Sequence, residues 1–265
     1  MDAAGQGRSR PTAAFFDLDK TVIATSSVSA FSRPFFAGGL LSRREVLRSA
    51  YAHFLYMAGG ADADQTERMR ANLSSLVAGW DVTQVKEIVA ETLHDLIDPY
   101  VYAEAVELIA LHHAAGREVV IVSASGAEVV EPIAAALGAD HVIASRMEVV
   151  DGRYTGTIDF YAYGENKATA IRELAAERGY DLDRSYAYSD SITDAPMLAV
   201  VGEAFVVNPD RALRREAAEN GWGALTFTRP VALRPFFSGP TSALTLGAVV
   251  AVAGLVVWGF ARRRR

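Results

Sequence analysis

The chain has 265 residues, about half of them hydrophobic, and a net charge of −6. That length and composition suffice for one sizeable α/β core plus a smaller accessory domain. The absence of cysteine excludes disulfides and thiolate metal sites, and a body that is acidic apart from four terminal arginines argues against nucleic acid as a partner.

Residues 1–12 are polar and read as a disordered N-terminus without a signal peptide. The first element is the short apolar run Ala13-Ala14-Phe15-Phe16, leading into Asp17 and Asp19 and then Lys20-Thr21-Val22. A strand whose side chains alternate throws both carboxylates to one side at its carboxyl end, where open α/β sheets carry their sites. Two like charges there must share a proton or recruit a cation. The pair therefore points to a Mg²⁺ site, or to a nucleophile with an acid/base partner, although a turn or a helix cap uses the same pattern.

About a hundred residues of helical character follow, too many for one crossover connection. Ser42-Arg43-Arg44-Glu45 is a capping-box pattern that opens a segment to about Met57, ended by Gly59-Gly60. Further helices are expected from Asp64 to Val77 and from Asp81 to His94, and another, starting at Pro99, carries Val101 to Ala115 back toward the sheet. Residues 22–95 thus read as a helical cap inserted above the site, excluding water and contributing substrate contacts. Arg33, Arg43, Arg44 and Arg48 either meet a second anionic group of the substrate or form a solvated face. His112-His113, adjacent on a helix, point in different directions and read as structural or solvent-facing.

Glu118 to Val122 is an apolar, β-branched run ending in Ser123-Ala124-Ser125-Gly126, the pattern of a buried parallel strand feeding a helix. Its hydroxyl and backbone N–H groups suit a phosphate oxygen, or the serines cap the next helix. Arg146 to Gly156 alternates around Asp151-Gly152 and reads as a β-hairpin. Lys167 lies in the first turn of a helix running to about Gly179, where a cation opposes the helix dipole. A short strand then ends at Asp190. Asp194 follows one turn later, facing the same point or capping Ala195-Pro196. Ala204 to Val207, followed by Asn208-Pro209-Asp210, reads as a further strand and its turn.

In this order the motifs resemble the haloacid dehalogenase-like phosphohydrolases, particularly the helical-cap subgroup that includes phosphoserine phosphatases. The likeness covers roughly residues 13 to 226 and rests on Asp17-Leu18-Asp19-Lys20-Thr21, Val122-Ser123, Lys167 and Asp190-Ser191-Ile192-Thr193-Asp194. It implies a Rossmann-like parallel sheet flanked by helices, with a catalytic core formed by residues 13–21 and 96–228 around the inserted cap. It also implies roles. Asp17 is the nucleophile, Asp19 the acid/base, and Thr21 orients Asp19. Ser123 and the backbone at Ala124 hold the phosphoryl oxygens, Lys167 offsets charge, and Asp17, Asp19 (by its carbonyl), Asp190 and Asp194 serve Mg²⁺. Two departures concern substrate recognition. Ser26 stands nine residues after the nucleophile, where phosphoserine phosphatases typically place a glutamate, and Ala124-Ser125 stand where they tend to have two glycines.

After a Pro-containing linker, residues 229–241, come nineteen uncharged and mostly apolar residues from Ser242 to Phe260, then a basic tail over 261–265. As a helix this stretch measures about 28 Å, close to the hydrocarbon thickness of a bilayer. It reads as a transmembrane helix, a single-pass C-terminal anchor holding a cytoplasmic catalytic domain, although the terminal arginines favour the opposite orientation by the positive-inside tendency. The expected function is a membrane-associated, Mg²⁺-dependent phosphatase of a small phosphorylated metabolite or lipid head-group phosphate. The alternatives are phosphoserine phosphatase and a non-catalytic tethered scaffold.

Overall fold

The computed structural model describes residues 10–41 and 76–230. Its centre is a seven-stranded sheet in the order β4-β3-β2-β1-β5-β6-β7. The strands are β1 (Ala13–Asp17), β2 (Glu118–Gly126), β3 (His141–Val150), β4 (Arg153–Phe160), β5 (Tyr186–Ser189), β6 (Glu203–Val207) and β7 (Gly223–Leu225). Every adjacent pair is parallel except β3 and β4. Those two form the expected hairpin, whose turn residues Asp151 and Gly152 both have positive φ, as a two-residue turn matching strand twist requires.

Helices cover both faces. They are α1 (Ser27–Ala37), α2 (Val82–Ile97), α3 (Ala103–Ala114), α4 (Ala127–Leu137), α5 (Glu165–Arg178), α6 (Ala195–Ala199) and α7 (Arg211–Asn220). On one face Phe15, Val120, Val122, Ala187 and Val206 pack with Ile171 and Ala175 of α5, Met197 and Leu198 of α6, and Leu213 of α7. The alternate residues Ala14, Phe16, Val119 and Ile121 point to the other face and are also fully buried, so β1 and β2 are apolar on both sides, as a central parallel strand must be. Phe16, Tyr188 and Phe205 lie in register across three strands and stack, with ring centroids 4.4 and 5.4 Å apart.

His112 of α3 is the structural residue the sequence suggested. Burial, helped by the nearby charges of Arg117 and His113, pushes its pKa down to about 3 and keeps it neutral. Arg117 Nε donates to its Nδ1 at 2.8 Å, which leaves Nε2–H to donate to the Tyr188 hydroxyl at 2.8 Å. His113 is exposed and pairs with Asp140.

Three sequence expectations change. Arg10 to Thr12 do not belong to a disordered N-terminus: the Arg10 side chain donates to the carbonyls of Gly179 and Tyr180, and the Pro11 and Thr12 carbonyls accept from Asp181 and Glu118. Helix α1 is additional. Phe31 and Phe35, one turn apart, anchor it, although Pro34 and three serines lower its helix propensity. Helix α2 begins as expected, with the Asp81 side chain accepting from Gln84 N–H, but it runs to Ile97, and the residues four apart on one face, Val85, Val89, Leu93 and Ile97, are buried. Both α1 and α2 also contact α4, so the described part of the cap segment rests on the core rather than standing apart.

The helix expected from Ser42 to Met57 and nearly all of that from Asp64 to Val77 lie outside the described residues, as does Ser242 to Phe260. Among the described residues no helix is long and apolar enough to cross a membrane. The linker's first residues, Arg229 and Pro230, are described. Arg229 accepts from Ala103 N–H at its carbonyl and pairs with Glu104.

Candidate active site

Because β1, β2 and β5 run parallel, their carboxyl ends bring distant motifs to one edge of the sheet. Asp17 pairs with Val122, so Ser123 lies one step beyond it, and the Phe16–Tyr188 pairing puts Ser189 level with Asp17. The chain then leaves the sheet. The strand ends at Asp17, so alternation does not carry on to Asp19, and Lys20, with φ +61°, makes a left-handed turn just beyond.

The two aspartates that the sequence placed as a repelling pair take different partners. Asp17 is nearly fully buried and accepts from Lys167 Nζ at 2.7 Å. Lys167 also donates to Asp194 Oδ2 at 2.8 Å, and Ser189 Oγ donates to that same oxygen at 2.7 Å. Asp19 faces elsewhere. Its Oδ1 accepts from Ser27 N–H at 2.9 Å and its Oδ2 from the Ser125 hydroxyl at 3.4 Å. The like charges that act on Asp17 are those of Asp194 and Asp190.

Lys167 is neither solvated nor placed for the stability of α5. It is 3 % exposed, and the site draws it inward in spite of the helix dipole. Burial alone lowers the proton affinity of its amine, but Asp17 and Asp194 together overcome that and hold it above the usual lysine value. The carboxyl of Asp17 is also held well above its usual value, chiefly by burial and then by Asp194 and Asp190, with Lys167 only partly offsetting them. Asp190 is pushed up to about 6 by burial and Asp194, against the nearby Lys20. Burial likewise raises Asp19, while the bonds from Ser27 oppose it.

The residues expected to bind phosphate lie at the carboxyl end of β2. Ser123 is buried, and a β-bulge between Ser123 and Gly126 takes Ala124 and Ser125 out of the ladder with β3. The bulge is held by Ser145, whose hydroxyl donates to the Ala124 carbonyl at 2.7 Å. Neither Ser123 nor Ser125 caps α4: its N-cap is Gly126, with no side-chain bond. Asp194 does not cap α6 through its side chain either. Thr21, expected to orient Asp19, donates instead to Asp190 Oδ1 at 3.3 Å, because the turn at Lys20 swings it toward β5.

Four carboxylates against one buried lysine leave excess negative charge, and hard oxygen donors of this kind fit Mg²⁺. The four do not form one carboxylate cage, however: among the described residues no three His, Asp or Glu side chains gather to hold a metal. Asp19 is turned to Ser27 and Ser125, and one oxygen of Asp194 is committed to Lys167 and Ser189. Asp17 and Asp190 remain as side-chain ligands. One or two carboxylates completed by a backbone carbonyl, water and substrate oxygens is the ligand set Mg²⁺ prefers.

The profile of the haloacid dehalogenase-like hydrolases matches residues 14–199. The chain belongs to that family. A Streptomyces azureus protein named "Inhibition of morphological differentiation protein" is 64% identical over 263 residues, 96% of this chain and 94% of its own length. A probable phosphatase of Mycobacterium tuberculosis is 59% identical over 257 residues, 95% of this chain and 90% of its own. Among solved structures, a Bordetella pertussis protein of unknown function superposes with TM-score 0.72 at 30% identity, covering 82% of this chain and 99% of its own. A phospho-aspartyl intermediate analogue of phosphoserine phosphatase shares the fold with TM-score 0.60 at 20% identity, covering 86% and 98%.

For this hydrolase, Ser27, Ser125 and Ser189 are the site residues that sequence reading missed as contacts. Serine is common in turns and caps, so its type carries little signal. The pairing of Phe16 with Tyr188 is what places Ser189 beside Asp17.

Proposed function

We propose that this hydrolase is a phosphomonoesterase working through an aspartyl-phosphate on Asp17. The observation that carries the reading is Lys167, buried and bonded at once to Asp17 and Asp194 at the carboxyl end of the central strand. In the first step a carboxylate oxygen of Asp17 attacks phosphorus, the P–O bond to the leaving group breaks, and Asp19 gives that oxygen its proton. In the second, Asp19 takes a proton from water as the water oxygen attacks the aspartyl-phosphate, which releases inorganic phosphate and restores Asp17. Ser123 and the Ala124 backbone hold the phosphoryl oxygens, and Lys167 offsets charge beside the nucleophile. Mg²⁺, held by Asp17, Asp190 and the Asp19 carbonyl with Asp194 in support, supplies charge neutralisation for the phosphoryl group.

The substrate class is a small phosphorylated metabolite or lipid head-group phosphate. Phosphoserine is the second candidate, but Ser26, at the position where those enzymes carry their glutamate, is the N-cap of α1 and offers no carboxylate to an ammonium group. The deciding measurement is phosphate release from a panel of monoesters with Mg²⁺ and with chelator. Turnover that falls by about 10²-fold or more on chelation and returns with Mg²⁺ is expected. Silence on every ester would sink the phosphatase reading in favour of a scaffold, and selectivity for phosphoserine would promote the second candidate.

We also infer that Ser242 to Phe260 anchors the enzyme in a membrane with its catalytic domain in the cytoplasm, supported by the nineteen uncharged residues and the basic tail. The full chain is expected to stay in the pellet after an alkaline wash, while a chain ending at Thr241 is released. Release of both, or digestion of the catalytic domain from outside intact cells, defeats the tether or its orientation respectively.

A further inference from the structure

Asp19 is held by neutral donors alone. One carboxylate oxygen takes the Ser27 N–H at 2.9 Å and the other the Ser125 hydroxyl at 3.4 Å, and the two serine hydroxyls lie 2.8 Å apart. A hydroxyl has one proton. If that of Ser125 goes to Asp19, the bond between the serines must be donated by Ser27, and the three groups form a directed chain. Ser27 is 0 % and Ser125 6 % exposed, so bulk water has no access to replace a lost member. The chain joins the turn after β1 and the first turn of α1, eight residues further on, to the bulge of β2 98 residues beyond Ser27 that takes Ser125 out of the ladder.

We propose that Ser27 and Ser125 are positioning residues, whose coupled hydroxyls fix the rotamer of Asp19 so that its proton is aimed at the leaving oxygen. The inference rests on the reading of Asp19 as the acid/base. Its hydrogen bonding differs from that at Asp17, which accepts directly from the Lys167 ammonium. Hydroxyls donate to a carboxylate and accept from a carboxylic acid, so the same contacts serve Asp19 before and after it gives up its proton. Because Ser27 opens α1, the first turn of the segment above the site and the acid/base are placed together.

The test compares kcat/KM for two esters, phenyl phosphate with a poor leaving group and 4-nitrophenyl phosphate with a good one. A misplaced acid hurts the first and spares the second. S125A and S27A are each expected to lower kcat/KM about tenfold or more on phenyl phosphate and less than about threefold on 4-nitrophenyl phosphate. The double variant S27A/S125A costs no more than the worse single one, as for residues acting as a unit. S125T, which keeps the hydroxyl, restores the wild-type ratio between the esters, and S27A stands in should S125A fail to fold. Equal losses on both esters, or none on either, overturns the inference while the phosphatase reading survives. A wild-type enzyme inert to both esters overturns the two together.

Discussion

Asp17→Asn is expected to lower kcat/KM by about 10⁴-fold or more on every ester the enzyme accepts, with the fold intact. The substitution keeps the side-chain shape and removes only the nucleophilic oxygen and its charge. Lys167 retains Asp194 at 2.8 Å, so no buried cation is left alone. Stability should hold or rise slightly, because burial and the charges of Asp194 and Asp190 already push Asp17 away from its ionised form. Circular dichroism and the thermal midpoint check the fold; phosphate release checks the chemistry. Near-normal turnover in this variant would refute Asp17 as nucleophile.

Lys167→Met should damage both stability and activity, and the stability loss is the more diagnostic. Methionine fills a similar volume, but Asp17 and Asp194, both under 10 % exposed, are left facing each other without their shared cation. Breaking a buried ion pair by deleting one partner typically costs about 3–5 kcal/mol, most of it the penalty of the uncompensated charge. Denaturant unfolding in chelator is the measurement. Adding Asp194→Asn to the same chain should recover part of the loss, since a neutral amide no longer repels Asp17. Turnover should drop about 10²–10³-fold, the usual cost of removing a preorganised electrostatic partner. An unchanged unfolding midpoint would mean that Lys167 and the two acids are not the tight cluster their distances describe.

Much of the architecture was legible because it follows from local periodicity. The β-branched run from Val119 to Val122, the Asp151-Gly152 turn and the Asp81 cap each occur where their chemistry predicts. Helix α1 was not legible, since Pro34 and the serines argue against helix while Phe31 and Phe35 argue for it only through their tertiary burial. Alternation also misled at Asp17 and Asp19: it holds only while the chain remains a strand, and the strand ends at Asp17, just before the left-handed turn at Lys20. Thr21 was misassigned for the same reason.

From the chain alone came the identities and order of the candidate site groups, because acids, lysine and small hydroxyls at the ends of apolar strands restrict the chemistry wherever they meet. The tertiary structure decided which of them meet. Lys167 goes to Asp17 and Asp194, Thr21 to Asp190, and Ser27 with Ser125 to Asp19. Those pairings depend on parallel strand register and on one turn's dihedral angle, both set by long-range packing that no local pattern encodes.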